Sequence, residues 1–301
     1  MKNAANGILL GVLAIAAHAE LLPAGKPLES SPNKQTYAYK NTPQGELKVE
    51  VYLPEGWQAG QKRSSILMFF GGGFTNGSTA QFRTKAEYLA SRGMVAMTPD
   101  YRVKTRQHTT PRESIEDAKS AVRWARMNAS ALGIDPDRIV ASGGSAGGTC
   151  AALAGLSDSF EPAGEDMSVS SKPNAMVLYN PALAVPGTTT KPEETDVLTS
   201  WKVSKHSPPM IFFFGTNDNL LPGSREVAKQ AAALGARAEL YTAPGVGHGF
   251  FNDTTTQKNG VAGWHNVVLY RTDLFLTSLG YLTGKPTVTP DPALSLTRDP
   301  L

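Results

Sequence analysis

A serine enclosed by glycine and alanine is the feature that most constrains the fold of this chain. Residues 139–150 read IVASGGSAGGTC, so Ser145 follows an apolar, strand-like run and precedes a segment that can form a helix. A serine at such a sharp turn has a strained backbone, and Gly143 and Gly147 must be small to avoid collision across it. The pattern predicts that Ser145 projects its hydroxyl into a cleft as a nucleophile. A glycine-rich turn or a phosphate-binding loop is the alternative, although the lysine of Walker-type loops is absent.

A second glycine cluster follows another apolar strand pattern. Residues 64–70, SSILMFF, lead directly into Gly71, Gly72 and Gly73. Glycines allow backbone N–H groups to approach a carbonyl oxygen closely, because no side chain intervenes. We expect these amides, with those at the start of the helix after Ser145, to stabilise an oxyanion. A flexible turn is the alternative, but two glycine clusters that each follow a buried strand are harder to explain by turns alone.

An acid and a base follow the serine in the chain order that a Ser–Asp–His triad uses on this kind of fold. Asp218 follows the apolar run MIFFFG, and His248 stands in the glycine-rich segment GVGHGF, which suits a catalytic loop. His265, in GWHNVV, is the competing base. His108 and His206 lie in polar segments near proline, and we expect both to be exposed to solvent.

Short apolar strand patterns alternate with helical patterns from about residue 35 onward. TYAYK and ELKVEVYLP alternate with period two around the turn NTPQG, which predicts a hairpin. The later apolar runs are separated by helical segments, and one of these opens with the components of a capping box, Thr110, Pro111 and Glu113. This order predicts an α/β fold with parallel strands and helices on both faces of the sheet.

Several polar groups are expected to be structural or to shape a cleft. Asp100 follows a strand but precedes Ser145, so we expect it to pair locally with Arg102. The segments 157–173 and 182–209 interrupt the alternation and are predicted to be surface insertions that form cleft walls. The acidic residues of the second insertion are expected to form a solvated face; they are Glu193, Glu194 and Asp196.

The chain ends suggest three regions. Lys2, the apolar run ILLGVLAIAA and the sequence AHA predict a cleavable signal peptide over residues 1–19, too short for a stable membrane anchor. The catalytic domain is predicted over 20–283, and the proline-rich tail 284–301 is expected to be extended on the surface or loose. We therefore expect a secreted or periplasmic protein.

Cys150 is the single cysteine, so no intrachain disulfide can form. A formal charge of +3 without a basic cluster disfavours nucleic-acid binding.

Taken together, the motifs FGGGF, PDYR, EDAKSAVRWAR, GIDPDRI, GGSAGG, PPMIFFFGTND and GVGHGF, between about residues 66 and 250, resemble the α/β-hydrolase superfamily. The resemblance is to its hormone-sensitive-lipase-like and acetyl-esterase branch. It implies a mostly parallel eight-stranded sheet, a Ser–His–Asp triad, and an oxyanion hole built by backbone amides. The residues concerned are Ser145, His248 and Asp218 for the triad, and Gly72, Gly73 and Ala146 for the oxyanion hole.

Two departures from that branch affect the expected substrate. Phe70 stands where the branch usually has a histidine, so a hydrogen bond that braces the glycine loop is expected to be lost. A predicted hairpin follows the signal segment almost directly, so we expect no large helical N-terminal cap and no deep lipid pocket. The expected absence of such a cap brings the chain nearer to exported acetyl-xylan or feruloyl esterases. Four aromatic residues are candidate walls of the substrate groove: Phe74, Trp201, Phe250 and Phe251.

The expected function is that of a secreted serine carboxylesterase that removes short acyl groups, above all acetyl, from carbohydrate. No cofactor or metal is expected, because no cluster resembles a metal site and no dinucleotide fingerprint is present. A feruloyl esterase, a small prolyl-oligopeptidase-like peptidase, a binding protein on an inactive hydrolase fold, and acyl transfer to an alcohol are the alternatives. A peptidase of that type usually has a large N-terminal domain, for which there is no room here.

Overall fold

The structure, a computed structural model, describes residues 19–185 and 196–301. In this part of the chain, eleven strands form one mixed sheet. The strands are Glu20–Leu21 (β1), Glu29–Ser31 (β2), Lys34–Thr42 (β3), Gly45–Tyr52 (β4), Arg63–Phe69 (β5), Val95–Pro99 (β6), Ile134–Gly144 (β7), Ala175–Tyr179 (β8), Met210–Gly215 (β9), Ala238–Ala243 (β10) and Thr297–Arg298 (β11).

Eight longer strands, β3 to β10, form the body of the sheet in the order β3-β4-β6-β5-β7-β8-β9-β10. β3 and β4 are the predicted hairpin and pair antiparallel, as β4 does with β6, whereas the strands from β6 across to β10 pair in parallel. The mostly parallel eight-stranded sheet is therefore confirmed. The short strands β1, β2 and β11 are additions at its two edges.

Helices cover both faces of the sheet, as predicted. One apolar core lies under α3, α5 and α6, and a second lies on the opposite face under α1 and α7. At the start of α3, the Glu113 carboxylate accepts the backbone N–H of Thr110 at 2.9 Å, as the predicted capping box requires. The helices are Arg83–Ser91 (α1), Lys104–Gln107 (α2), Pro111–Met127 (α3), Ala129–Leu132 (α4), Ala146–Leu156 (α5), Leu221–Ala233 (α6) and Trp264–Ser278 (α7), with a 3₁₀ turn at Thr79–Phe82.

Buried ion pairs attach the hairpin to helix α3. The Lys40 ammonium of β3 is fully buried and lies 2.8 Å from the equally buried carboxylate of Asp117. The same carboxylate accepts two hydrogen bonds from the Arg102 guanidinium, at 2.8 and 2.9 Å. The expected local pair of Arg102 with Asp100 is therefore wrong. Arg102 turns inward under α3, and Asp100 pairs instead with Arg106 near the surface, at 2.6 Å.

The insertion 157–173 lies against helix α3 and does not form a cleft wall beside Ser145. Glu161 accepts hydrogen bonds from Lys119 at 2.6 Å and from Arg123 at 2.7 Å, and Glu165 also pairs with Arg123. Lys119 and Arg123 are almost fully buried, so these carboxylates are needed to compensate charges that would otherwise lie unpaired in the interior. Charge compensation therefore accounts for Glu161 and Glu165 in this segment.

The proline-rich tail is firmly attached to the domain. β11 pairs antiparallel with β10, and the Asp299 backbone N–H donates to the Leu240 carbonyl at 2.8 Å. The Asp299 carboxylate also pairs with Arg225 of α6 at 2.6 Å. Leu294 and Leu296 pack on the core under α7. The tail is thus continuous with the catalytic domain in its packing.

Two sequence predictions lie wholly or partly outside the described residues. Of the predicted signal peptide, only residue 19 is described, because residues 1–18 lie outside the described part of the chain. Glu193 and Glu194 also lie outside it, within residues 186–195. Among the helices of the described residues, none has the length and apolar character needed to span a bilayer.

Removing the charge of Asp117 tests the role of the buried ion pairs. We expect Asp117→Asn to lower the free energy of unfolding by about 3–5 kcal/mol, because Lys40 and Arg102 then lose their nearest buried counter-charge and keep only carboxylates at 3.7 and 3.8 Å. Asp100→Asn is the matched control, since its pair with Arg106 is partly exposed and is worth less than about 1 kcal/mol. Urea unfolding measures both; equal losses for the two variants would contradict this account.

Candidate active site

The turn from β7 into α5 places Ser145 in a strained conformation. Its φ of 53° and ψ of −122° lie in a region that non-glycine residues rarely adopt. The Ser145 backbone N–H donates to the Tyr179 carbonyl of β8 at 2.9 Å, which anchors the turn. A Cβ atom on Gly143 would lie 2.3 Å from the Gly147 carbonyl oxygen, so the predicted need for small neighbours has a direct steric cause.

The structure brings Ser145 together with Asp218 and His248. His248 Nε2 lies 2.9 Å from Ser145 Oγ, and His248 Nδ1 lies 2.8 Å from Asp218 Oδ2. Asp218 follows β9 and is fully buried at its side chain, whereas His248 follows β10 and is 38% exposed. The carboxyl ends of three parallel strands, β7, β9 and β10, therefore supply the three groups, in the arrangement by which a histidine activates a serine nucleophile.

Asn180 is a further polar residue of the site that the sequence analysis did not single out. It is fully buried, and its Nδ2 donates to Asp218 Oδ2 at 2.6 Å. The Leu220 backbone N–H donates to the other carboxylate oxygen at 3.0 Å, so both oxygens of Asp218 are fixed. The signal available in the sequence was an asparagine directly after the apolar strand AMVLY, and the structure gives this asparagine a left-handed φ of 46°.

The glycine loop after β5 lies against the serine turn. A Cβ on Gly71 would lie 3.2 Å from the Ser145 Cβ, and one on Gly72 would lie 2.0 Å from the Asn76 carbonyl oxygen. Gly72 and Gly73 have φ values of 136° and 62°. In the described part of the chain, the amides of these two glycines donate to no protein acceptor, and the same holds for Ala146. All three amides are therefore free to bind an oxyanion.

Tyrosine and glutamine side chains support the glycine loop, in place of the histidine that is replaced by Phe70. The Tyr101 hydroxyl donates to the Phe70 carbonyl at 2.6 Å, and the two rings stack with centroids 4.1 Å apart. The Gly71 backbone N–H donates to Gln81 Oε1 at 2.6 Å. The expected loss of one brace is thus compensated by two other side chains.

A cavity of about 310 Å³ opens beside Ser145 and His248. Of the four predicted aromatic walls, the structure places Phe251 in its lining and leaves out Phe74, Trp201 and Phe250. These three are buried in the core: Phe250 packs edge-on against Trp264, and Trp201 donates its indole N–H to the Ala184 carbonyl at 2.8 Å. Their assignment to the substrate groove is wrong, because their rings are buried against other apolar side chains in the core.

Carboxamides are the most numerous polar side chains in the lining of this cavity. They come from the glycine loop with its 3₁₀ turn and from the segment that follows His248, so no described residue of the two predicted insertions contributes. The full lining consists of Gly71, Gly72, Gly73, Asn76, Gly77, Gln81, Ser145, His248, Gly249, Phe251, Asn252, Gln257 and Asn259.

The competing histidine occupies a different environment. His265 Nδ1 lies 2.8 Å from the buried Lys85 ammonium, which also donates to the Phe251 carbonyl at 2.8 Å. Burial, reinforced by the charge of Lys85, lowers the pKa of His265 to about 3. Burial likewise lowers the pKa of Lys85 to about 7. His265 is absent from the cavity lining, as are His108 and His206. Within the described residues, no three His, Cys, Asp or Glu side chains group as metal ligands.

Several proteins similar to this chain are esterases. A family model described as BD-FAE matches residues 49–179. Esterase LipC of Mycobacterium tuberculosis is 30% identical over 218 residues, which are 63% of this chain and 54% of LipC, so the chain spans about half of that protein.

Solved structures of esterase 2 from Thermogutta terrifontis are similar over nearly their whole length. The apo form is 39% identical, with a TM-score of 0.78 over 85% of this chain and 98% of that chain. The propionate-bound form is 38% identical, with a TM-score of 0.78 over 84% of this chain and 97% of that chain.

Removal of the serine hydroxyl tests the triad. We expect Ser145→Ala to lower hydrolysis of p-nitrophenyl acetate on the order of a million-fold, because no other nucleophile lies in this position. The variant should keep the circular dichroism spectrum and melting temperature of the wild type, since alanine fits the same turn. Ser142→Ala is the control: among the described residues its buried hydroxyl has no hydrogen-bond partner, and its loss should leave the rate unchanged. A Ser145→Ala variant with near-native rate would show that the triad is assigned wrongly.

The pH dependence of stability tests the role of His265. The unfolded chain takes up a proton at this residue near pH 6.5, but the folded chain does so only near pH 3. Acidification between these values therefore favours unfolding. We expect His265→Gln to lose less stability than the wild type between about pH 7 and pH 4, while it retains ester hydrolysis at neutral pH. Thermal melts across this range measure the effect; loss of hydrolysis with an unchanged melting curve would instead place His265 in the reaction.

Proposed function

Because the chain belongs to the carboxylic ester hydrolases of the α/β-hydrolase fold, we propose that it is a serine esterase that removes short acyl groups, above all acetyl, from acylated carbohydrate. The observation that carries the hydrolytic proposal is the hydrogen-bonded series Ser145–His248–Asp218, beside three backbone amides that donate to no acceptor among the described residues. Family membership rests on the esterase relatives and on the fold.

The geometry supports a two-step acyl-enzyme mechanism. Ser145 Oγ bonds to the ester carbonyl carbon while its proton passes to His248 Nε2, and the amides of Gly72, Gly73 and Ala146 hold the oxyanion. Collapse of this intermediate breaks the bond to the alcohol oxygen, which leaves with the proton from Nε2. Water then gives a proton to Nε2, attacks the acyl carbon and releases the acid, and Ser145 regains its proton. Asp218 keeps Nδ1 protonated throughout and stabilises the imidazolium.

The size of the cavity favours a short acyl group. Its volume of about 310 Å³ must hold both the acyl group and part of the alcohol, which leaves little room for a long chain. The propionate bound to the similar Thermogutta terrifontis esterase 2 is itself a short acid.

Three carboxamides on the cavity wall favour a substrate rich in hydroxyl groups. In the described residues, the side chains of Asn76 and Gln257 make no hydrogen bond within the protein, and Asn259 uses only its oxygen. Each carboxamide offers both donor and acceptor atoms, which suits sugar hydroxyls that require both. We therefore assign the sugar contacts to these three residues, and no longer to the insertions 157–173 and 182–209.

Export of the protein is part of this proposal. A basic residue followed by a short apolar run and an A-x-A sequence is typical of a signal peptide, which delivers an enzyme to the compartment where polymeric carbohydrate occurs. A feruloyl ester is the second candidate substrate, since Phe251 in the lining offers one aromatic surface.

A substrate panel tests the proposal. We expect p-nitrophenyl acetate and butyrate to be cleaved much faster than decanoate, and acetate to be released from acetylated xylan. Gln257→Leu should lower kcat/KM on acetylated xylo-oligosaccharides by a larger factor than on p-nitrophenyl acetate, because only the former presents sugar hydroxyls. Faster cleavage of decanoate than of acetate would overturn the short-acyl proposal, and a feruloyl ester cleaved better than an acetyl ester would favour the second candidate.

A further inference from the structure

Gln81 bridges two loops that meet at the candidate active site. Its Oε1 accepts the Gly71 backbone N–H at 2.6 Å, directly before Gly72 and Gly73, which line the cavity. Its Nε2 donates to Asn252 Oδ1 at 2.8 Å, and Asn252 Nδ2 donates to Asn259 Oδ1 at 2.9 Å. Three carboxamides thus form a continuous chain from the glycine loop to the segment that carries His248.

The direction of this chain follows from its first member. A backbone N–H can only donate, so the oxygen of Gln81 must face Gly71 and its nitrogen must face Asn252. Asn252 must then accept with its oxygen and donate with its nitrogen to Asn259. Each side chain therefore has one hydrogen-bonded orientation, and rotation of any carboxamide by 180° would break the series.

The first two members of the chain, Gln81 and Asn252, lie in well-packed parts of the fold. Asn252 is 2% exposed, and its backbone N–H donates to the Gly249 carbonyl at 3.0 Å, next to His248. Gln81 lies in the 3₁₀ turn Thr79–Phe82, whose buried Phe82 ring stacks on Phe251 with centroids 6.2 Å apart. The turn that carries Gln81 therefore packs, through Phe82, on the same segment to which Gln81 is hydrogen-bonded, the segment of Phe251 and Asn252. This packing opposes movement of Gln81.

The glycine loop has little freedom to move without disturbing the nucleophile. A Cβ at Gly71 would lie 2.8 Å from the Gly144 carbonyl oxygen, so the loop backbone is already in contact with the serine turn. A shift of Gly71 would therefore change the distance from the Gly72 and Gly73 amides to the carbonyl carbon bound at Ser145. An error of about 1 Å in such an arrangement can cost on the order of a hundred-fold in rate.

We propose that Gln81 is a positioning residue that holds the oxyanion-binding amides at a fixed distance from Ser145 and His248, acting through Asn252. This inference rests on the proposed esterase function. Gln81 lines the cavity, but its oxygen and one N–H are engaged within the protein, so its role is to position the amides and not to bind the substrate.

Gln81→Met is the first test, since methionine preserves length and removes both polar groups. We expect kcat on p-nitrophenyl acetate to fall about 10- to 100-fold with KM changed less than about threefold, because the amides act mainly on the transition state. Affinity for a short-chain trifluoromethyl ketone, whose adduct places an oxyanion at the amides, should fall in parallel with kcat/KM. The pH dependence of kcat/KM should stay as in the wild type, because His248 and Asp218 keep their contacts.

Three further variants complete the design. Gln81→Asn retains the carboxamide but is one methylene too short to reach both partners, so it should reproduce the loss; it also takes over the test if the methionine variant does not fold. Asn252→Leu, alone and combined with Gln81→Met, should give strongly non-additive losses, since both changes break one chain. Gln107→Met is the matched control: Gln107 also accepts a backbone N–H, from Val103 at 2.9 Å, but lies outside the cavity lining.

The outcomes separate this inference from the function on which it rests. A wild-type protein that does not hydrolyse p-nitrophenyl acetate would overturn the proposed function itself. If the wild type is active, a Gln81→Met or Gln81→Asn variant with kcat within twofold of the wild type would overturn the positioning role alone. An unchanged ketone affinity, or an equal loss of kcat in Gln107→Met, would likewise overturn the positioning role.

Discussion

The close approach of helix α5 to the end of strand β5 is the constraint on which the candidate site depends. A Cβ on Gly147 would lie 2.1 Å from the Phe69 carbonyl oxygen and 2.2 Å from that of Phe70, so a side chain at this position would push the helix away from the strand. The glycine loop begins where β5 ends, and Ser145 lies where α5 begins. Contact between the two elements therefore places the oxyanion-binding amides beside the nucleophile. The packing of α5 on β5 fixes the position of the glycine loop relative to the serine turn.

Much of this arrangement was predictable because it depends on local sequence. The need for glycine at position 143 reflects a steric requirement within five residues, because a Cβ there would meet the Gly147 carbonyl. The alternation of apolar strands with helices determines that Asp218 and His248 end at the same edge of the sheet as the serine. Parallel topology converts chain order into spatial proximity, since every strand that is followed by a helix presents its carboxyl end on the same side.

The parts that were missed depend on contacts between distant segments. Arg102 and Asp117 are fifteen residues apart and pair only because α3 folds back over the sheet. Gln81 and Asn252 are separated by 171 positions, and neither has a local pattern that marks it as functional. The aromatic residues near the triad were assigned to the groove by their type, but burial decides whether a ring is available, and sequence alone did not show that Phe74, Trp201 and Phe250 are used by the core.

The added strands at the sheet edges have a consequence for the behaviour of the protein in concentrated solution. A bare edge strand exposes unpaired N–H and C=O groups and can recruit the edge of another molecule, which leads to aggregation. β11 pairs with Tyr241 and Thr242 of β10, while β1 and β2 pair with opposite halves of β3. These short strands cover both borders of the sheet with segments of the same chain. They thereby leave fewer backbone groups open to intermolecular pairing, which favours a well-dispersed protein.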